Sequence, residues 1–372
     1  MTPDNEAVTP DAEAMTSDNE AVTPDAEAMT PDNEAVTPDA EVMTPDVEAM
    51  TPDVEAMTLD TEAMTSRTEA VASDTEAVAS DNAPGGAALP MATAAAAFAA
   101  LHRSSGPPFL IPNAWDRASA SALAAQGFPA VATTSLAVAA SAGLPDGAGA
   151  TRAETLLLAR RLGTGPYLLS VDAESGFGDD PDEVARLARE LADAGAVGIN
   201  LEDGRSDGTL APVALHAAKI AAVKAAVPHL FVNARTDTYW SGGREKAATT
   251  SRLQAYEQAG ADGVFVPGLT DPSEIATLVK RLETPLNILY TPSGPTVRQL
   301  GDLGVRRVSL GSLLFRTALG AALDAAEDIR AGRPVAGGGP TYAQVQALAG
   351  PVTGGCRCVC GAPAPQSRSR PR

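Results

Sequence analysis

Cysteine, histidine and aromatic residues are scarce in this 372-residue chain, and each shortage removes a class of function. The three cysteines, Cys356, Cys358 and Cys360, all sit near the C-terminus. The remainder therefore has no disulfide to staple it and no thiol nucleophile. A structural zinc site takes four ligands, with at least two residues between paired cysteines. Three alternating thiols without a nearby histidine fall short of that, so no metal is expected there. The three histidines, His102, His216 and His229, form no legible Ser–His–Asp constellation. His102 precedes the first apolar run, His229 reads as a solvated turn residue, and His216 reads as a surface or packing residue of a helix. No phosphate-binding Gly-rich loop is present. No apolar run approaches the roughly eighteen residues of a membrane span, and no basic segment followed by an apolar one opens the chain. A cytoplasmic protein that does not engage a membrane is the expectation.

Positive charge is also short, but only in one place. The net charge is −20, with 47 acidic residues against 27 basic. Residues 1–84 hold 22 of those acids and a single basic residue, Arg67, so the rest of the chain is close to neutral. The low isoelectric point thus says nothing about the remainder, and no basic field for nucleic acid exists. Residues 1–84 repeat a seven-residue unit, beginning MTPDNEA VTPDAEA and decaying toward VASDNAP. A period of seven suggests a coiled coil, but most copies carry Pro at the third position. Each Pro costs a helix interior roughly 3 kcal/mol. Without aromatics and with few large apolar side chains, the unit cannot offset its ordering entropy. Residues 1–90 are expected to be a disordered acidic tail, either a bristle or partner-binding segment, or the product of tandem duplication. A true start at Met91, where a helix-forming run begins, would remove it. Residues 351–372, rich in Pro, Gly, Ser and Arg, are expected to be a second disordered tail.

Residues 91–350 make one domain, rich in Ala and Gly as suits helices packed closely on a sheet. Eight apolar runs recur along it, each followed by a helical pattern: 109–115, 130–135, 167–173, 197–202, 230–235, 263–268, 286–290 and 306–311. Eight βα units in succession predict an α/β fold, the (β/α)8 TIM barrel with flanking tails. An open doubly wound sheet would show a Gly-rich turn after its first strand, and NAWDRASAS has none.

The ends of these runs carry the chemistry. VDAESGFGD (171–179) releases Asp172 and Glu174, INLEDG (199–204) releases Glu202, and FVNARTD (231–237) releases Arg235 and Asp237. Asp146 sits in the turn GLPDG (143–147). On a regular strand Asp172 and Glu174 would share one face. Four carboxylates from consecutive units repel unless a cation neutralises them, and Mg²⁺ suits few direct carboxylates with waters and substrate completing its shell. Any one of these acids alone reads equally well as a helix cap. Arg235 suits bidentate binding of a substrate carboxylate, or else a bridge tying the rim together. Thr133, Thr134 and Ser135 offer hydroxyls and backbone N–H groups to a second carboxylate.

With TTSLAVAASAGLPD, VDAESGFGD, NLED and NARTD in this order, residues 105–332 resemble the isocitrate lyase/phosphoenolpyruvate mutase superfamily. The resemblance implies a barrel dependent on Mg²⁺, or on Mn²⁺, that makes or breaks C–C or P–C bonds beside an α-keto acid. It implies Asp172 as the direct metal ligand, with Asp146, Glu174 and Glu202 reaching the metal through water. Arg235 and the segment Thr133–Ser135 would hold the keto-acid carboxylate, with Asp172 beside it. Arg235, Asp146 and Glu202 form the implied catalytic set around an enolate. The family usually carries Asp where this chain has Glu174. It also implies a homo-oligomer, dimer or tetramer, that exchanges its last barrel helix (313–330). In place of the lyases' KKCGH-like gating loop, this chain reads GRSDGTLAPVALH, and the Lys and Asn of phosphonopyruvate enzymes are absent too. The expectation is a carbon–carbon lyase acting on a small di- or tricarboxylate by some other acid/base. Phosphonate or phosphoenolpyruvate chemistry, oxaloacetate decarboxylase-like activity and non-catalytic keto-acid binding are the alternatives.

Overall fold

The computed structural model describes residues 90–240, 245–335 and 337–349; both expected tails otherwise lie outside the described residues. The strands are β1 Phe109–Ile111, β2 Ala130–Ala132, β3 Leu168–Asp172, β4 Ala196–Glu202, β5 Phe231–Arg235, β6 Gly263–Val266, β7 Leu286–Leu289 and β8 Arg307–Ser309. All eight fall inside or within one residue of the apolar runs. The helices are α1 Met91–Leu101, α2 Arg117–Ala125, α3 Ser135–Ala142, α4 Arg152–Leu162, α5 Pro181–Asp193, α6 Val213–Ala226, α7 Thr249–Gln258, α8 Pro272–Arg281, α9 Val297–Asp302, α10 Leu313–Arg330 and α11 Tyr342–Ala347.

Every strand runs parallel to its neighbours, and sequence order is preserved from β2 through β8 to β1. β1 and β2 meet through one parallel bridge, Asn113 to Ala132, with Ala132 N–H donating to Pro112 O at 2.8 Å and Ala114 N–H to Ala132 O at 2.7 Å. That bridge all but closes the ring into an α/β barrel. Buried on both faces, the strands read as continuous apolar runs rather than alternating ones; all seven residues of β4 are buried. The helices cover them with apolar stripes. In α5 the residues Val184, Leu187, Ala188 and Leu191 face inward at helical spacing. Its start is fixed by Asp180, whose side chain accepts from Asp182 N–H, and by Pro181 in the first turn.

The helical pattern that the sequence shows after 130–135 lies beyond a loop carrying GLPDG, whereas the structure has a further helix, α3, ahead of that turn. Thr134 is the last extended residue (φ −141°), and Gly143 ends the helix at φ 68°. SLAVAASA is apolar nearly all round, so it carries no amphipathic period by which to recognise a helix.

The N-terminal mouth of the barrel is plugged by α1. Phe98 meets Phe109 and Phe231 edge-on, with ring centroids 5.9 and 5.4 Å apart, and His102 stacks on Phe231 at 4.2 Å. Gly198 makes this fit: a Cβ there would stand 2.7 Å from Phe98. His102, expected to be bland, is buried in this plug, and burial pushes its pKa down to about 3, with Arg307 adding to the effect. Helix α10 is the opposite case. None of its residues is buried, and Leu319, Leu323 and Ile329 are exposed.

Candidate active site

At the C-terminal ends of the strands a cavity of about 290 Å³ opens, lined by Asp146, Asp172, Glu202, Arg235 and Asp237 among others. Strand pairing brings these groups together. Asp172 is the register partner of Asn200, and Glu202 is the partner of Arg235 on the next strand. The Glu202–Arg235 ion pair is thus a cross-strand neighbour contact, with Arg235 Nη1 2.8 Å from Glu202 Oε2. Its N–H does not point at that oxygen, which leaves Oε2 without a hydrogen bond.

Asp172 is held from two sides. Its backbone N–H donates to Thr133 Oγ1 at 2.9 Å, and its Oδ2 accepts from Ser135 N–H, at the start of α3, at 3.0 Å. The other oxygen, Oδ1, is buried and has no partner. Burial pushes the Asp172 carboxyl above its ordinary range against the pull of Arg235 and of the Ser135 N–H. Burial pushes Glu202 well above its ordinary range, with Arg235 again opposing. A buried carboxylate with an orphaned oxygen is costly unless something cationic completes it.

Arg235 is gripped bidentately by Asp237, Nε to Oδ1 at 2.6 Å and Nη2 to Oδ2 at 2.9 Å. The guanidinium lies 5.8 Å from the ring centroids of both Trp240 and Phe265. Burial disfavours its charge, but Glu202 and Asp237 more than offset that and hold it fully protonated. Asp237 is itself fixed by the fully buried Asp203, which accepts from Asp237 N–H (2.9 Å), Thr236 Oγ1 (2.8 Å) and Tyr256 Oη (2.6 Å). Gly204 leaves room for this packing, since a Cβ there would stand 2.5 Å from Asp237 Oδ2.

The residues singled out in the sequence divide between two positions. Asp146, Asp172, Glu202, Arg235, Thr134 and Ser135 line the cavity; Thr133 and Glu174 are not among its lining. Thr133 spends its hydroxyl on Asp172 N–H. Glu174 does not share a strand face with Asp172, because β3 ends at Asp172 and Glu174 adopts φ 47°, a left-handed conformation rare for such a residue. Its carboxylate is taken by the Thr151 hydroxyl and by Gly149 N–H at 3.3 Å. Burial raises its pKa, opposed by the Thr151 hydrogen bond. Among the described residues no group of three or more His, Cys, Asp or Glu stands ready as a complete metal cage. The cavity does fit Mg²⁺, which takes one or two carboxylates directly and keeps its waters: Asp172 Oδ1 is free, with Glu202 and Asp146 across the same space.

Lys219 is unavailable to any ligand in the cavity. It is buried and donates to Ser175 O (3.2 Å) and Asp179 Oδ1 (3.1 Å), pinning the Gly176–Gly178 loop from behind. Arg205 lines the cavity and donates to Asp179 Oδ2 at 2.9 Å. His216 is fully buried against Tyr256, and burial pushes its pKa down to about 3, with Lys219 adding to the effect. Sequence reasoning missed Trp240, Asp203, Asn200 and Arg307. An amide and an arginine inside apolar strand runs were the available signals for the last two.

No helix among the described residues is long and apolar enough to cross a membrane. The sequence profile of the phosphoenolpyruvate phosphomutase family matches residues 98–330. A Mycobacterium tuberculosis protein of uncharacterised function is 46% identical over 245 residues, 65% of this chain and 92% of that relative. The 2-methylisocitrate lyase of Bacillus subtilis is 36% identical over 195 residues, 50% of this chain and 64% of the relative. Among solved structures, phosphonopyruvate hydrolase in complex with oxalate and Mg²⁺ superposes with a TM-score of 0.61 at 27% identity, covering 68% of this chain and 94% of that one. With the profile spanning more than half its length, the chain belongs to the phosphoenolpyruvate phosphomutase family and is an enzyme of the isocitrate lyase/phosphoenolpyruvate mutase superfamily of lyases and mutases.

Proposed function

We propose that this enzyme is a Mg²⁺-dependent lyase that cleaves or forms a carbon–carbon bond next to the keto group of a small di- or tricarboxylate. The observation that carries the reading is the buried, partnerless Asp172 Oδ1 in the same cavity as Arg235. Asp172 would hold the cation directly and Glu202 and Asp146 through its waters; when bound, Mg²⁺ supplies Lewis-acid stabilisation of negative charge developing on a keto oxygen.

Arg235 binds the carboxylate beside that keto group. Two of its five N–H groups go to Asp237 and none is hydrogen-bonded to the nearby Glu202, which leaves donors for the substrate. Asp237, Trp240 and Phe265 fix the guanidinium plane, so binding needs little rearrangement. Thr134 and Ser135 also line the cavity, and Thr134 would hold a second carboxylate. Ser135 serves Asp172 with both its N–H and its side chain, so it acts chiefly by holding that carboxylate. Glu174 acts as a support: with Thr151 and Gly149 it ties the Asp146 loop to the end of β3.

Phosphonate chemistry is the weaker reading here, because Lys219 is buried beneath the Gly176–Gly178 loop and Arg205 is committed to Asp179. The same proposal includes a homo-oligomer in which α10 packs on a second copy, as its exposed Leu319, Leu323 and Ile329 favour. Light scattering on the full chain tests that part, and a monomer would refute it. The activity is tested by supplying oxaloacetate, 2-methylisocitrate, isocitrate and phosphonopyruvate with and without Mg²⁺, following products by proton and phosphorus NMR. Metal-dependent carbon–carbon cleavage is expected. Turnover of phosphonopyruvate alone, or turnover indifferent to chelator, would overturn the proposal.

A further inference from the structure

A network of buried polar side chains adjoins the cavity, and two of its members, Asn200 and Ser309, reach the cavity lining. Arg307 on β8 is fully buried and makes only two long hydrogen bonds, Nε to Ser309 Oγ and Nη2 to Asn200 Oδ1, both at 3.4 Å. Its Nη1 has no partner, and no carboxylate among the described residues pairs with it. A guanidinium left unpaired in a low-dielectric interior is expensive, and a methionine or leucine would fill the space at lower cost.

What Arg307 achieves is legible at Asn200. The Oδ1 of Asn200 accepts from Arg307 and from Asn233 Nδ2 at 2.9 Å. A guanidinium carries donors only, so the Asn200 atom that faces it must be the oxygen. The amide nitrogen is thereby turned the other way. Asn200 lines the cavity, and its Nδ2 has no acceptor among the described residues and is not sealed from that space. On the neighbouring strand its register partner is Asp172. The floor between Asp172 and Arg235 therefore presents an outward N–H donor with a buried positive charge behind it, an arrangement made to receive oxygen anions.

We propose that Asn200 is a substrate-binding residue whose Nδ2 donates to a carboxylate or enolate oxygen of a bound α-keto acid, and that Arg307 is the positioning residue that keeps this amide in its donor orientation. The inference rests on the keto-acid reading of the cavity. It adds to Arg235 a second, neutral donor selecting a planar, oxygen-rich dianion.

The test is calorimetric titration of the full-length protein, in Mg²⁺, with oxalate as the planar dianionic probe. Asn200→Asp keeps size and offers Arg307 a carboxylate, so its melting temperature should hold or rise while oxalate binding weakens roughly 10- to 100-fold, the range for a lost hydrogen bond to a charged group. Asn200→Leu should weaken binding similarly. Arg307→Met should weaken oxalate binding about 5-fold or more when Asn200 is present and add nothing in the Asn200→Leu background, whereas a purely structural role gives the same loss in both. Should an Arg307 variant fail to fold, Asn200→Asp decides the matter alone. Wild-type binding with undiminished affinity in Asn200→Asp and Asn200→Leu would overturn the inference and leave the site reading standing. Wild type that takes up no oxalate would overturn both.

Discussion

The two mouths of the barrel are made by the same eight strands, yet they are finished in opposite ways. At the N-terminal mouth Phe98, His102, Phe109 and Phe231 interlock edge to face, and one glycine, Gly198, is removed of its side chain to admit them. At the C-terminal rim buried oxygens of Asp172 and Glu202 lack hydrogen bonds, and Glu174 and Phe177 take left-handed backbone conformations. One end is arranged for packing, with its histidine held neutral. The other carries buried charge and left-handed backbone, features that gather at ligand sites rather than in packed cores. Stability and function thus draw on different ends of the same strands, as the barrel architecture permits.

The sharpest break in this comparison should come from Asp172→Ala. Metal-dependent turnover is expected to fall by roughly 100-fold or more, while melting temperature stays level or rises because a buried carboxylate is gone. Steady-state assays alongside calorimetric melting would show it. Phe98→Ala should do the reverse, costing about 3–5 kcal/mol of stability with kcat/KM unchanged below the melting range, as denaturant titration would report. Arg235→Lys comes next: it keeps the charge but loses the planar fork, and kcat/KM should fall by about 50-fold.

A smaller effect separates the mouths by pH. His102 has its folded pKa pushed down to about 3 against an ordinary 6.5, so the unfolded chain binds the proton first. Its contribution to stability is therefore complete above pH 6.5 and declines as pH falls toward 3. The slope is about 1.4 kcal/mol per pH unit at most. Replacing it, His102→Leu, should remove its share of that slope, with His216 supplying the remainder, and leave the pH profile of turnover in place. The smallest expected change is Gly204→Ala. Its methyl would press on Asp237, and a loss of about 10-fold in kcat/KM with an intact fold is expected.

Much of this was legible in the sequence, for physical reasons that also explain the gaps. The strands were visible because burial on both faces makes them apolar throughout, and their polar ends marked Asp172, Glu202 and Arg235 on the rim. Glu174 was misplaced by the strand rule of alternation, which does not apply once β3 stops at Asp172 and the backbone turns left-handed. Helix α3 was hidden by an apolar stretch without period. His102 and Lys219 were invisible as buried groups, since burial of a polar residue is decided by partners distant in sequence: Phe231 for the one, Ser175 and Asp179 for the other.

The most direct test of the account is a crystal of the full-length protein soaked in Mn²⁺ and oxalate, read by anomalous diffraction. The account predicts one Mn²⁺ peak in the rim cavity, bonded to Asp172 Oδ1 and not to Glu174, with oxalate reaching Arg235. A peak seated on Glu174, or no peak in this cavity at full Mn²⁺ loading, would contradict it.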